Sequence, residues 1–340
     1  MTSKSLSKKI IIIGNGGWGT TLAILLHKKG YEVTLWGADA SYSDYLREKR
    51  ENVKYLKGIS IPSGICITSN ISQKLLDVHI VVVATPTPYM RSVLIKFKDF
   101  FVQGTPVVSV TKGIENDSLM RPSEIITSVL GNQPVSLLLG PSHAEEVARG
   151  LPTTIVASSK DITLARTVQE IFTTDRFRVY TNPDMIGVEL GAAMKNVIAI
   201  AAGICDGLKF GDNSKAALIT RGLAEISRLG VVMGAQKTTF SGLTGLGDLI
   251  TTCISPYGRN RRVGEQIGKG IKLQEILEKM EQIAEGVWTT KSVKALSNKL
   301  NVEMPITQEI YNVLFTNKDP LEAVSNLMMR TPRSEMEELA

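Results

Sequence analysis

The chain has 340 residues, more than a typical single domain, so two domains are expected; 43% hydrophobic and 21% charged residues are enough to bury a sizeable core. The formal net charge of +6 comes from Lys and Arg spread along the whole length, with only small clusters such as Lys8-Lys9 and Arg259 to Arg262, which argues against nucleic-acid binding and suits anionic small molecules. Cys66, Cys205 and Cys253 are far apart without CxxC spacing, so a disulfide framework and a metal site are not expected and a reducing cytoplasm fits; the apolar runs Ile10 to Ile13 and His79 to Ala84 are too short to span a membrane, and no signal peptide is expected.

Residues 9–36 form the first unit in chain order. The β-branched run Lys9 to Ile13 reads as a strand buried on both faces. Gly14-Asn-Gly16-Gly17-Trp18-Gly19 follows, then a helical stretch from Thr20 to Lys29 and a second strand, Glu32 to Trp36. Strand, GxGxxG, helix and strand in that order make a dinucleotide-binding unit. Gly14 permits the tight turn, Gly16 lets backbone approach a pyrophosphate, and Gly19 lets the helix lie on the sheet, with the helix N-terminus facing the phosphate charge. An acid at the end of the second strand would hold a ribose hydroxyl and an Arg would accommodate a 2′-phosphate. Here Asp39 falls slightly late and no Arg is adjacent, so NAD and NADP both stay open.

Further strands are predicted at Ile65 to Thr68, Ile80 to Ala84, Pro106 to Val110, Val135 to Leu139, Thr154 to Ala157 and Phe177 to Tyr180. Helices are predicted at about 42–51, 88–99, 122–130, 142–149 and 162–172. Strands joined by helical crossovers imply a mainly parallel, doubly wound Rossmann-type sheet with ligands at the carboxyl ends of the strands. Past Asn182-Pro183 only helical periods remain, at about 184–204, 213–233, 243–252, 258–268, 273–279, 288–300, 305–315 and 320–329, and Thr331 to Ala340 reads as a frayed end. The fold class is therefore α/β, with a nucleotide domain over 1–182 and an all-helical domain over 183–340.

Several residues carry chemistry. Lys195, beside Asn196, is a single lysine in an Ala-rich apolar helix, where burial would lower its pKa and make it a proton-transfer group; the alternative is a lysine whose head reaches solvent. Lys112 follows a predicted core strand, where a cation can reach both nicotinamide and substrate, unless it is a solvated loop lysine. In Ser241-Gly-Leu-Thr-Gly-Leu-Gly-Asp248 the glycines allow close backbone approach and aim Asp248 into a site. Gly258-Arg259-Asn260-Arg261-Arg262 opens a helix and reads as an anion pocket or as a basic solvated turn. Among the histidines only His143 lies near the sheet edge, and Cys253 reads as core rather than nucleophile.

Taken together these segments, from Ile13-Gly-Asn-Gly-Gly-Trp-Gly-Thr20 through Thr111-Lys-Gly-Ile114, Gly140-Pro-Ser-His-Ala-Glu-Glu-Val147, Leu190 to Asn213, Gly242 to Thr252, Arg259-Asn-Arg261 and Glu285-Gly286, resemble the bacterial type of NAD(P)-dependent glycerol-3-phosphate dehydrogenase over essentially the full length. The resemblance implies reversible hydride transfer between NAD(P)H and dihydroxyacetone phosphate, giving sn-glycerol 3-phosphate for phospholipid synthesis. It implies Lys195 as proton acceptor, with Lys112 touching substrate and nucleotide. Gly140, Ser142, Asp248, Gly258, Arg259 and Asn260 would line the substrate site, and Gly17, Trp18, Ala144, Arg259, Ile283 and Glu285 would touch the cofactor.

Two departures from that family stand out: Gly258 replaces its usual Ser, and Ala38 stands where many members have Arg or His. The rivals are another Rossmann-plus-helical dehydrogenase of a small hydroxy substrate, a sugar-nucleotide dehydrogenase using Cys253, and a non-catalytic NAD(P)H-binding regulator. The expected partner is a small phosphorylated substrate, with no nucleic acid and no integral membrane segment; oligomeric state stays open, with a homodimer as the candidate.

Overall fold

The computed structural model describes residues 9–70, 78–280, 284–332 and 334–335. Ile283, named above for the cofactor, and the tail beyond residue 335 lie outside the described residues. The chain divides into two compact units, one running to Thr111 and resuming over Pro122–Met185, the other made of Lys112–Arg121 and Ile186 onward.

Among the described residues the first unit has ten strands: β1 (Lys9–Ile13), β2 (Glu32–Trp36), β3 (Glu51–Asn52), β4 (Leu56–Ser60), β5 (Cys66–Thr68), β6 (Ile80–Val83), β7 (Val107–Ser109), β8 (Val135–Leu139), β9 (Thr153–Ser158) and β10 (Phe177–Asn182). Eight form one sheet in the order β10-β9-β8-β7-β6-β1-β2-β5, while β3 and β4 pair as a separate antiparallel hairpin. The apolar residues of β1 and β6 are almost wholly buried, as expected of interior strands covered on both faces. In register, Ile13 pairs with both Trp36 and Val83, and Val83 with Ser109, so β1, β2, β6 and β7 end level with one another. That level edge carries the Gly14 turn, Thr85 and Thr111. The pair β8–β9 is antiparallel, and β9–β10 is parallel. The predicted alternation located these strands but not the hairpin.

The second unit is helical. Its central element, Met185–Gly207, has 23 residues and a mean hydropathy of 1.5, long and apolar enough to cross a membrane, yet its whole apolar stretch is buried inside the protein. Ile226, Leu229, Phe240, Leu249, Val263, Val287 and Val293 pack in the same core, each such side chain contributing about 1.5–3 kcal/mol when fully buried. Lys112–Arg121, which the sequence reading placed in the first domain, groups with this unit instead. Ser292 Oγ donates to the Ile114 carbonyl at 2.9 Å, and Arg121 pairs with buried Glu189 at 2.5 Å, so the segment is pinned to two helices at once.

Candidate active site

In the helical unit, three residues predicted from distant parts of the chain meet. Lys195 Nζ donates to Asp248 Oδ1 at 2.6 Å, and Lys112 Nζ donates to Asp248 Oδ2 at 2.9 Å. The side chains of Lys195 and Asp248 are 6% and 2% exposed, whereas Lys112 is 16% exposed, so the cluster is sealed on one side and opens toward Lys112. A fourth member was not anticipated: Thr252 Oγ1 accepts from Lys195 Nζ at 2.5 Å while donating to the Asp248 carbonyl at 2.7 Å. Its signal was the spacing, since Thr252 lies one helical turn after Asp248 and shares its face.

The backbone explains the convergence. Gly191 is one turn before Lys195, and a Cβ there would lie 2.5 Å from the Thr244 carbonyl oxygen, so the two backbones touch with no room for a side chain. Thr244 in turn precedes Asp248 by four residues. From that contact both chains advance one turn and deliver Lys195 and Asp248 to the same point. The Leu243–Gly247 turn is wound wide, with Gly247 N bonding to the Gly242 carbonyl at 3.1 Å, five residues back; such turns inside helices are frequent at functional sites.

Electrostatics follow from this packing. Burial lowers the Lys195 pKa most, Asp248 draws it back up and the neighbouring Lys112 cation lowers it again, leaving it at about 8 against an ordinary 10.5. Burial alone would raise the Asp248 carboxyl, but the Lys112 and Lys195 ammoniums outweigh it and hold Asp248 below its ordinary value. Cys253, buried one residue beyond Thr252, is pushed up to about 12 by desolvation, an environment that suits a core thiol rather than a nucleophile.

The other predicted residues of the helical unit gather near this cluster. Gly258 precedes the Arg259–Gly268 helix, and a Cβ there would lie 2.9 Å from the Thr252 carbonyl oxygen, so this loop is shaped for glycine. Asn260 is buried and its Oδ1 accepts from Gly286 N at 2.9 Å, while the Gly286 Cα approaches the Asn196 carbonyl. The N-terminal turns of the helices opened by Arg259 and Glu285 therefore both end beside the Lys195-Asn196 turn, two positive dipole ends near two lysines. Arg261 is not part of an anion pocket: Asp206 takes its guanidinium, Glu265 lies at 3.6 Å, and Lys215 also pairs with Asp206. Arg259, exposed on the first turn, remains as the phosphate candidate.

The first unit holds the predicted nucleotide residues. Gly14 has φ +123°, and a Cβ on it would sit 2.7 Å from the Ala84 carbonyl oxygen; Gly19 faces the Gly14 carbonyl at closer range still. A Cβ on Gly16 would meet nothing within 4 Å, so this part of the turn lies open, and the Gly17–Lys28 helix behind it has no side-chain cap and no acid in its first turn. An open backbone turn on an uncapped helix N-terminus fits the pyrophosphate of a dinucleotide. Trp18 packs on Phe177 with ring centroids 6.4 Å apart, and Ala144 begins a short helix whose first carbonyl accepts from Thr21 Oγ1 at 3.2 Å. The β3–β4 hairpin braces the same turn: buried Asn52 donates through Nδ2 to the Asn15 carbonyl at 2.9 Å and to Thr20 Oγ1 at 2.7 Å.

Asp39 caps the Ala40–Lys49 helix, its Oδ1 accepting from Ser41 Oγ at 2.7 Å and from Tyr42 N at 3.0 Å; these bonds hold the carboxyl below its ordinary value. Gly140 (φ +143°) and Ser142 form the turn after β8, where Ser142 Oγ donates to the Gly140 carbonyl at 3.0 Å, and His143 is the residue preceding the Ala144–Ala148 helix.

Comparison with known proteins accounts for both units. Residues 9–165 match the family model described as NAD-dependent glycerol-3-phosphate dehydrogenase N-terminus, and residues 184–325 match the corresponding C-terminus. An NAD(P)+ glycerol-3-phosphate dehydrogenase of Prosthecochloris aestuarii is 50% identical over 330 residues, covering 96% of this chain and 99% of the relative. Its counterpart in Bacillus velezensis is 49% identical over 335 residues, 98% and 97% of the two chains. The crystal structure of the Coxiella burnetii glycerol-3-phosphate dehydrogenase superposes with a TM-score of 0.92 at 38% identity, over 95% of this chain and 99% of that one. The chain belongs to the NAD-dependent glycerol-3-phosphate dehydrogenase family.

Proposed function

We propose that this chain catalyses reversible hydride transfer between NAD(P)H and dihydroxyacetone phosphate, giving sn-glycerol 3-phosphate for glycerophospholipid synthesis, with Lys195 as the proton-transfer group. The observation that carries the assignment of Lys195 is the buried Lys195–Asp248–Lys112 cluster, in a chain of this family. The nucleotide, bound at the Gly14–Gly19 turn, supplies or accepts the hydride.

In the oxidative direction Lys195 must be neutral, and its lowered pKa makes a useful fraction so near neutral pH. Asp248 Oδ1 and Thr252 Oγ1 accept two of its N–H bonds. Because the Thr252 hydroxyl hydrogen is committed to the Asp248 carbonyl, Thr252 serves as acceptor and fixes the amine's rotation. The remaining tetrahedral position on Nζ then carries the lone pair that takes the substrate hydroxyl proton. In reduction the same position donates a proton to the oxygen as hydride reaches the carbonyl carbon. Lys112 supplies a second cation for the alkoxide character of the transition state, and Asp248 holds both ammoniums against their mutual repulsion.

Arg259, with the backbone N–H groups of its helix and Asn260, is assigned to the substrate phosphate, with Gly258 contributing backbone only; Gly140 and Ser142 are assigned to the substrate as well. Gly14, Gly16, Gly17, Trp18, Gly19 and Ala144 are assigned to the nucleotide, together with Lys112, Arg259 and Glu285. The first unit then acts as the nucleotide domain and the helical unit as the catalytic one. Initial rates of dihydroxyacetone phosphate reduction with NADH and NADPH side by side test the reading and report the preferred nucleotide; no oxidation of either would overturn it.

A further inference from the structure

A cavity of about 350 Å³ lies in the first unit, between the second half of the Gly17–Lys28 helix, the Ala144–Ala148 helix with the turn after it, and the Thr174–Phe177 segment. The hydride and proton chemistry described above makes no use of it. Apolar side chains make up part of its lining: Ile24 and Phe177 are 4% and 2% exposed, Val147 and Ala148 stand with them, and Leu151 is 49% exposed. Lys28, Lys29 and Arg176 also line it, against one acid, Asp175. Lys29 is fixed there by donating to two backbone carbonyls, Glu170 at 2.7 Å and Thr173 at 2.6 Å, neither of which cancels its charge.

We propose that this cavity binds a single-chain anionic amphiphile as a dissolved monomer, with its alkyl chain against Ile24, Val147 and Phe177 and its head at Lys28 and Arg176. The volume and the mostly apolar lining are those of small-molecule sites, which use a few polar groups to fix orientation. A bare anion would leave the apolar walls unused, and a neutral hydrocarbon would leave the excess of cations unused; only a ligand with both parts matches both features.

The location gives the site a consequence. The two helices that form its walls begin at Gly17 and Ala144, both assigned above to nucleotide contact, and Thr21, itself part of the lining, ties them through its bond to the Ala144 carbonyl. The Trp18 ring rests on Phe177, one of the lining residues. An occupant wedged between these helices acts on the glycine turn, so amphiphile and nucleotide change each other's affinity by one common factor. This inference is independent of the Lys195 assignment, since it concerns binding alone.

The test is calorimetric titration of the full chain with acetate, hexanoate, octanoate and decanoate, each below its micellar concentration and with glycerol 3-phosphate saturating. Carboxylates are chosen to keep the probe chemistry apart from the phosphate substrate. Affinity should tighten about fourfold per added methylene until the cavity is filled. Leu151→Asp and Arg176→Glu, both at exposed positions, should each weaken decanoate at least tenfold, by loss of chain contact and of the head's cation, with unchanged rates of dihydroxyacetone phosphate reduction. Acetate binding as tightly as decanoate, decanoate binding that survives both substitutions, or binding seen only with anionic vesicles would each overturn the site. An NADH Kd unmoved by saturating decanoate would overturn the coupling.

Discussion

The lowered pKa of Lys195 makes a prediction with both a size and two signs. With a pKa of about 8, roughly one tenth of the amine is neutral at pH 7 and roughly nine tenths at pH 9. The kcat/KM for glycerol 3-phosphate oxidation should therefore rise about tenfold across that interval and level off above it. Two substitutions should move this limb in opposite directions. Asp248 raises the lysine's pKa, so Asp248→Asn shifts the limb to lower pH; Lys112 lowers it, so Lys112→Met shifts the limb to higher pH. Lys195→Met should abolish the limb and reduce kcat by about 10²–10⁴, equivalent to about 3–5 kcal/mol of transition-state stabilisation. Nucleotide binding, followed by fluorescence quenching, should persist in that variant. The assay is initial rates from pH 6 to 10, with unfolding midpoints recorded to separate loss of fold from loss of function. A profile without an inflection between pH 7 and 9, or two limbs moving the same way, would refute the assignment of the base.

Gly191→Ala should act through geometry: its Cβ would lie 2.5 Å from the Thr244 carbonyl oxygen, so the helices must separate, at a cost of about 1–3 kcal/mol. Displacing Lys195 from Asp248 should lower kcat by about 10²-fold, and a variant with a reduced melting temperature but native kcat would break the link between that contact and the site. Iodoacetamide at pH 8 should label exposed Cys66 and leave activity intact, because Cys253 is buried and its thiol stays protonated; inactivation in step with Cys253 labelling, read by mass spectrometry, would contradict this. Glu225 sits buried at the start of the Pro305–Phe315 helix, accepting from Ile306 N at 2.6 Å and Thr307 N at 3.2 Å; burial outweighs these bonds and raises its pKa from 4.5 to about 7. A raised folded-state pKa stabilises the fold fully below pH 4.5, and that contribution is lost as pH climbs to about 7, on the order of 3 kcal/mol in all. In Glu225→Gln this dependence should vanish, so urea-unfolding curves of the two proteins that stay parallel from pH 4.5 to 8 would rule it out.

Much of this was legible in the sequence because it rests on local pattern. The isoleucine run before Gly14 dictates an interior strand, and the Ala-rich stretch through Lys195 dictates a core helix. What stayed hidden depends on distant contacts. Strand direction is one case: β8 and β9 lie antiparallel on either side of a five-residue helix, and their apolar content carries no direction. The β3–β4 hairpin is another, since β3 has only two residues and β4, Leu-Lys-Gly-Ile-Ser, does not alternate apolar and polar residues; Asn52 gains its importance only by reaching the Asn15 carbonyl across the fold. The basic turn at 259–262 looked uniform in sequence, yet Asp206 claims Arg261, a pairing that no spacing announces.

The grouping of Lys112 bears most directly on mechanism. In sequence it follows β7 and reads as part of the nucleotide domain, but in space its segment is tied to the helical unit, through Ile114 to Ser292 of the Glu285–Leu300 helix and through Arg121 to Glu189 of the helix that carries Lys195. Every group that sets the pKa of the proposed base therefore lies within one compact unit: the desolvating helix, the carboxylate and the second cation. The Lys195 Nζ to Asp248 distance follows from that unit's own packing at the Gly191–Thr244 contact, and Lys112 reaches the other carboxylate oxygen from the same unit. In the proposed reading proton transfer is preorganised by the helical unit, and the glycine turn of the first unit has a separate task, holding an anionic dinucleotide at an uncapped helix N-terminus.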